Sequence, residues 1–160
     1  MRKAASERMI DRQSATLKGQ EFFKKNHSIL QGRHHSHCLF NRTPPVPALS
    51  LHFDDGGALH GEFTCSNYHQ GYDGMVHGGI LAAIIDASMA QCLMGHGVVA
   101  YTANLSIRYH KPVTIHQRAH FKTIVEEIAG GKLYSMRCDI IQKQDRAVRG
   151  NAKFFSISHL

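Results

Sequence analysis

The sequence predicts an α+β fold in which an antiparallel β-sheet wraps one long buried helix, with an extra helix at the N-terminus. Three observations carry that reading. The segment from 76 to 95 is apolar on nearly every side, so a helix there needs cover all round. Most of the chain after it alternates apolar and polar residues in short runs, the period of a strand. Tight turn signals, rather than further helices, join those runs and make them antiparallel neighbours. With 160 residues, 42% of them hydrophobic, the chain has material for one core and not for two.

Residues 4–25 mix Ala, Leu, Lys, Glu and Gln, and predict an amphipathic helix with Met9, Ile10, Leu17, Phe22 and Phe23 facing the sheet. Residues 26–47 are polar and His-rich, and Pro44, Pro45 and Pro47 close them, so they read as a long connecting loop. The runs 48–53 and 58–65 flank Asp54-Asp55-Gly56-Gly57, a hairpin signature. After the central helix, Ala103, Leu105, Ile107 and Tyr109 alternate with Thr102, Asn104, Ser106 and Arg108, which predicts a strand with one buried face. Further strands fall at 117–128, 132–142 and 146–157, turning at Gly130-Gly131 and Gln144-Asp145. In the middle one, Tyr134, Met136, Cys138 and Ile140 point inward against Ser135, Arg137 and Asp139. The expected organisation is an N-terminal helix and linker over 1–35 and a single domain over 36–160.

Composition narrows the function classes. The first residues are charged throughout and lack the apolar stretch of a secretory signal. The apolar run Ile80 to Met94 is about 15 residues long and contains Asp86, short of the roughly 20 needed to cross a bilayer, so no membrane association is expected. Cys38, Cys65, Cys92 and Cys138 form no CxxC pair and are expected as free thiols in a cytoplasmic protein. A formal net charge of +7 suits an anionic partner or a merely solubilising surface. The basic residues are scattered and form no nucleic-acid motif, so a phosphorylated small molecule is the expected partner and nucleic acid is not.

The chemistry concentrates on the central helix. Gly78 and Gly79 stand at its start, where the first backbone N–H groups have no partner within the helix and suit an anion or a developing oxyanion. Small residues for tight packing are the other reading of those glycines. Asp86 sits among Ile84, Ile85, Ala87 and Met89, where a retained carboxylate is hydrogen-bonded to a strand or functional. His77 either orients the loop before the helix or acts as an acid. Gly78 and Asp86 are eight residues apart, roughly 12 Å along a helix axis at 1.5 Å per residue. They cannot both reach one carbonyl, so a site using both needs two antiparallel helices from two chains.

The string VHGGILAAIIDA, followed by YTANLSIRYHKP, resembles the hotdog-fold acyl-CoA thioesterases of the phenylacetate-pathway type and their thioesterase-superfamily relatives, over about residues 36–157. The resemblance implies a sheet wrapped around a long central helix and a homodimer, paired further as a dimer of dimers. It implies an acyl-CoA substrate and no cofactor, coenzyme A being part of the substrate. Asp86 matches the catalytic carboxylate, as general base or as nucleophile, and Gly78 or Gly79 matches the amide that polarises the thioester carbonyl. Thr102 matches a hydroxyl that positions water or substrate, and Asn104 is expected on the same strand face, lining the pocket. Gly71 falls where many members carry Asn or Gln to hold the thioester, and His69 or Gln70 is the expected substitute. Asn41 stands where relatives often have a second Cys after the one matching Cys38, so His34, His35 and His37 are read as a solvated loop, with no metal site. Arg108, Lys111, Arg149 and Lys153 are candidates for the coenzyme A phosphates, against the alternative of plain solvated charge. Two other functions fit such a fold: acyl-thioester dehydration or hydration, and non-catalytic acyl-CoA binding.

Overall fold

The structure, a computed structural model, describes residues 19–41 and 46–160. Met9, Ile10, Leu17, Pro44 and Pro45 lie outside the described residues. The first described helix, α1, covers residues 19–34 and so continues through the stretch read as loop. Tertiary contacts explain the extension. Phe23, Asn26, His27 and Leu30 share one face at helical spacing, and Leu30 is 2% exposed. Asn26 Nδ2–H donates to the Gly95 carbonyl at 3.3 Å, His27 bonds the Gln91 side chain, and Phe23 stacks on Phe53. Phe22, expected inward, is exposed, because it lies off that face.

A curled six-stranded sheet follows, with β1 Ser50–Phe53, β2 Leu59–Thr64, β3 Val98–Tyr109, β4 Arg118–Ala129, β5 Leu133–Gln142 and β6 Asp145–His159. The central helix, α2, spans Gly78–Gly95 between β2 and β3. The sheet order is β1-β2-β4-β5-β6-β3, and every pairing is antiparallel. β3 is therefore an edge strand, bonded to β6 alone. The expected alternation in β5 is present, with Tyr134, Met136, Cys138 and Ile140 buried. Gly130 and Gly131 take φ values of +57° and +66° in the β4–β5 turn. The next turn sits one residue earlier than expected, on Lys143 and Gln144 at φ +53° and +68°, since Asp145 already pairs within β6.

Ile84, Ile85, Met89 and Leu93 of α2 are fully buried against the sheet. The approach is close enough that a Cβ on Gly150 would overlap the Ile85 side chain. At 18 residues α2 is long and apolar enough to cross a membrane by length and composition, more than the Ile80–Met94 run suggested, yet it packs as the core helix of this domain. Its cover within the chain is incomplete. Gly79 is exposed and Ala82, Ala83, Asp86 and Ala90 are half-buried, forming a stripe of small residues with one carboxylate.

Candidate active site

Two loops clamp the start of α2. The Val76 N–H donates to the Val113 carbonyl at 2.8 Å, the His77 N–H to the His69 carbonyl at 2.7 Å, and the Ile115 N–H to the Gly74 carbonyl at 3.1 Å. His77 is the N-cap, with extended backbone at φ −61° and ψ 132°, and its Nδ1 accepts the Gly79 N–H at 2.9 Å. The neutral imidazole then carries its proton on Nε2. Tyr109 donates its hydroxyl to the Gly78 carbonyl at 2.8 Å. Of the two glycine amides, that of Gly79 is thus occupied by the cap. That of Gly78 has no partner among the described residues and is the open donor at the positive end of the helix. A cavity of about 370 Å³ opens beside it, lined by Tyr72, Val76, Gly78, Leu81, Tyr109 and Val113 among others.

Asp86 lies on the uncovered stripe of α2. Its Oδ1 accepts the Thr102 hydroxyl at 2.6 Å, which satisfies one carboxylate oxygen and fixes its orientation. Thr102 reaches the helix because of a β-bulge. Thr102 pairs with Phe154 and Asn104 with Lys153, so Ala103 is the extra residue. The bulge reverses the phase of the strand, so Thr102, Leu105 and Ile107 all face α2. The expectation that Asn104 shares the Thr102 face is therefore corrected: Asn104 stands opposite exposed Lys153 on the outer surface.

The sequence places His35 in a solvated loop, but it is half-buried and close enough to sense Asp86. Burial lowers its pKa, and the Asp86 carboxylate raises it by less, leaving it below the ordinary histidine value. The antiparallel docking of α1 brings it there. Asn26 meets Gly95 and His27 meets Gln91, so the C-terminal end of α1 runs back along α2 toward Asp86. The available signal was Gln91, a polar residue in an apolar helix that required a partner.

The remaining expected residues divide. Gly71 is explained, since a Cβ there would press within 3.2–3.3 Å of His77. Gln70 Oε1 accepts the Gly74 N–H at 3.1 Å and braces the loop. His69 is buried, its Nδ1 accepts the Ser66 N–H at 2.9 Å, and its Nε2 has no partner among the described residues. Lys111 pairs with Asp145 at 2.7 Å at the surface, and Arg149 is bound by both oxygens of Asp139. Arg108, Arg149 and Lys153 lie on the outer sheet surface, so the structure does not gather them around Asp86 within the chain. Among the described residues no cluster of His, Cys, Asp or Glu could hold a metal.

Residues 73–148 match the family model of the thioesterase superfamily. The acyl-coenzyme A thioesterase THEM4 of Mus musculus is 42% identical over 65 residues, 41% of this chain and 28% of that protein. Its Rattus norvegicus counterpart is 35% identical over 83 residues, 52% of this chain and 35% of that one. The match thus spans about a third of the length of these curated relatives. The E. coli PaaI protein from the phenylacetic acid degradation operon superposes with a TM-score of 0.73 at 14% identity, over 88% of this chain and 97% of that one. A hypothetical thioesterase of Streptococcus pneumoniae TIGR4, solved with coenzyme A, superposes at 0.64 and 19% identity, over 69% and 90%. Residues 73–148 thus resemble the thioesterase superfamily in sequence, and the chain has the hotdog fold.

Proposed function

We propose that the chain hydrolyses acyl-CoA thioesters to the free acid and coenzyme A, with Asp86 as the catalytic carboxylate. The bond from Thr102 to Asp86, on a helix whose start presents the open Gly78 amide, carries this reading. Asp86 takes a proton from water as its oxygen attacks the thioester carbon. The carbonyl oxygen becomes an oxyanion that accepts the Gly78 N–H. Collapse breaks the carbon–sulfur bond, and the thiolate leaves with the proton returned by Asp86. Attack by the carboxylate itself, through an anhydride that water opens, uses the same groups. After a single turnover in ¹⁸O water, label in the Asp86 carboxylate marks an anhydride opened at the Asp86 carbon, since direct water attack labels only the acid released.

Gly78 and Asp86 of one chain stand eight residues apart on α2, roughly 12 Å along its axis. Each site therefore joins Gly78 of one copy to Asp86 of a second, with the two α2 helices antiparallel in a homodimer. The half-exposed stripe of Ala82, Ala83, Asp86 and Ala90 and the free edge of β3 support that pairing. The relatives add support. Those of mouse and rat are named acyl-coenzyme A thioesterases. The streptococcal protein has also been solved in two single variants, one with alanine for an aspartate and one with alanine for a threonine sixteen residues further on. Asp86 and Thr102 have the same spacing. The free cysteines suit a reducing, cytoplasmic setting. Thiol release from aryl, short-chain and long-chain acyl-CoA, by the wild type and by Asp86→Asn, tests the proposal. No release from any member of the panel overturns it.

A further inference from the structure

On the face of the sheet away from α2, β3 and β6 set two arginines directly against each other. Arg108 pairs in register with Arg149, and the neighbouring pair on that face is Ser106 with Asn151. Gly150, between them, faces Ile85 of α2, which fixes the arginines as outward. Like charges directly opposite on antiparallel strands destabilise a sheet. Only one of this pair is compensated. Arg149 Nε and Nη2 donate to the two Asp139 oxygens at 2.7 Å each, while Arg108 has no acidic partner among the described residues. The other nearby charges are taken up elsewhere, Arg137 by Glu126 at 2.7 Å and Lys111 by Asp145 at 2.7 Å.

These side chains line an open cavity of about 400 Å³, formed by Ser106, Arg108, His110, Arg146, Arg149 and Asn151. Three guanidinium groups face it and one carboxylate, Asp139, lies behind them, leaving two positive charges uncompensated. Arg149 is held rigidly by one edge of its fork. A guanidinium has five N–H donors, so three remain to face the cavity. Ser106 and Asn151 add neutral donors on the same surface.

We infer that this groove binds a phosphate monoester dianion, with Arg108 and the outward edge of Arg149 as its principal donors. A phosphate monoester carries a charge of about −1.5 to −2 at pH 7 and three acceptor oxygens, which match the charge and the donors of the groove. Its source is either the 3′-phosphate of coenzyme A or a separate phosphorylated molecule. The groove is distinct from the chemistry at Asp86, and only its assignment to coenzyme A rests on the proposed thioester hydrolysis.

The test measures the melting temperature of the full chain in inorganic phosphate against chloride at constant ionic strength, then displacement by coenzyme A and by dephospho-coenzyme A. Phosphate is expected to raise the melting temperature. Coenzyme A is expected to displace it, with dephospho-coenzyme A at least about tenfold weaker. Arg108→Gln should abolish the phosphate effect, yet melt without ligand at or above the wild-type temperature, because the opposed charge is gone. Phosphate binding that coenzyme A fails to displace supports the groove and assigns it to a separate phosphorylated molecule. No phosphate effect, an effect that survives Arg108→Gln, or equal displacement by the dephospho form overturns the inference.

Discussion

Thr102 on β3 donates its hydroxyl to Asp86 on α2 across 2.6 Å, so an edge strand fixes the orientation of the only acid on the central helix. Thr102→Val keeps the shape and removes the donor. Hydrogen bonds to charged groups contribute about 1.5–3 kcal/mol, so kcat/KM should fall by about 10–100-fold. Thr102→Ser should retain most of the activity, and Asp86→Asn should lower kcat by about 10²–10⁴-fold with the fold intact. Thiol-release kinetics on the three variants check this. A Thr102→Val enzyme as fast as wild type would remove the orienting role.

The open Gly78 amide can be deleted without disturbing the helix. Proline is tolerated at the first helical position, and it requires an extended residue before it. His77 already has φ −61° and ψ 132°. Gly78→Pro should fold and bind substrate, with kcat reduced about 10²–10³-fold, the usual loss for one oxyanion donor. Mixing it with Asp86→Asn adds a test of assembly. In a mixed dimer one shared site keeps both wild-type groups, so activity should reappear on mixing. A site contained in one chain gives no recovery.

The legible parts of the fold were those set by local periodicity: the alternation of β5, the Gly130-Gly131 turn and the long apolar helix. What escaped depended on contacts far apart in sequence. The continuation of the Phe23 face through Asn26, His27 and Leu30 reads as polar loop until Gln91 and Gly95 supply partners. The bulge at Ala103 has no local mark in an evenly alternating run, yet it decides that Thr102 faces Asp86 and that Asn104 does not. In the site, Asp86 and the glycines were evident as chemistry in an apolar context. The choice between Gly78 and Gly79 needed the His77 ring, whose Nδ1 occupies one of the two amides.

The cysteines should separate by reactivity. Burial pushes the thiol of Cys65 up to about 11, that of Cys92 to about 12 and that of Cys138 to about 11. The thiolate is the reactive form, so all three should be inert at pH 8. Cys38, half-buried on the segment after α1, is the one expected to label in the native protein. Ellman titration should give one thiol natively and four in denaturant. Labelling of Cys92 at the native rate of Cys38 would contradict the packing around α2.

The docking of α1 should make the protein acid-sensitive. Burial lowers the pKa of His27 from 6.5, its bond to Gln91 works in the opposite direction, and nearby His35 adds to the lowering. The unfolded chain therefore takes up this proton at a higher pH than the folded one does. The stability carried by neutral His27 is complete above pH 6.5 and is lost as the pH falls through the folded value. His35, also lowered, contributes in the same direction. The melting temperature should accordingly decline from about pH 6.5 toward 5, and His27→Gln, which cannot protonate, should lessen the decline. His27→Ala leaves the Gln91 side chain, 2% exposed, without its partner. That variant should lose about 1–3 kcal/mol even at pH 8. Melting curves of the three proteins from pH 5 to 8 decide the matter, and parallel pH profiles for wild type and His27→Gln would place the acid sensitivity elsewhere.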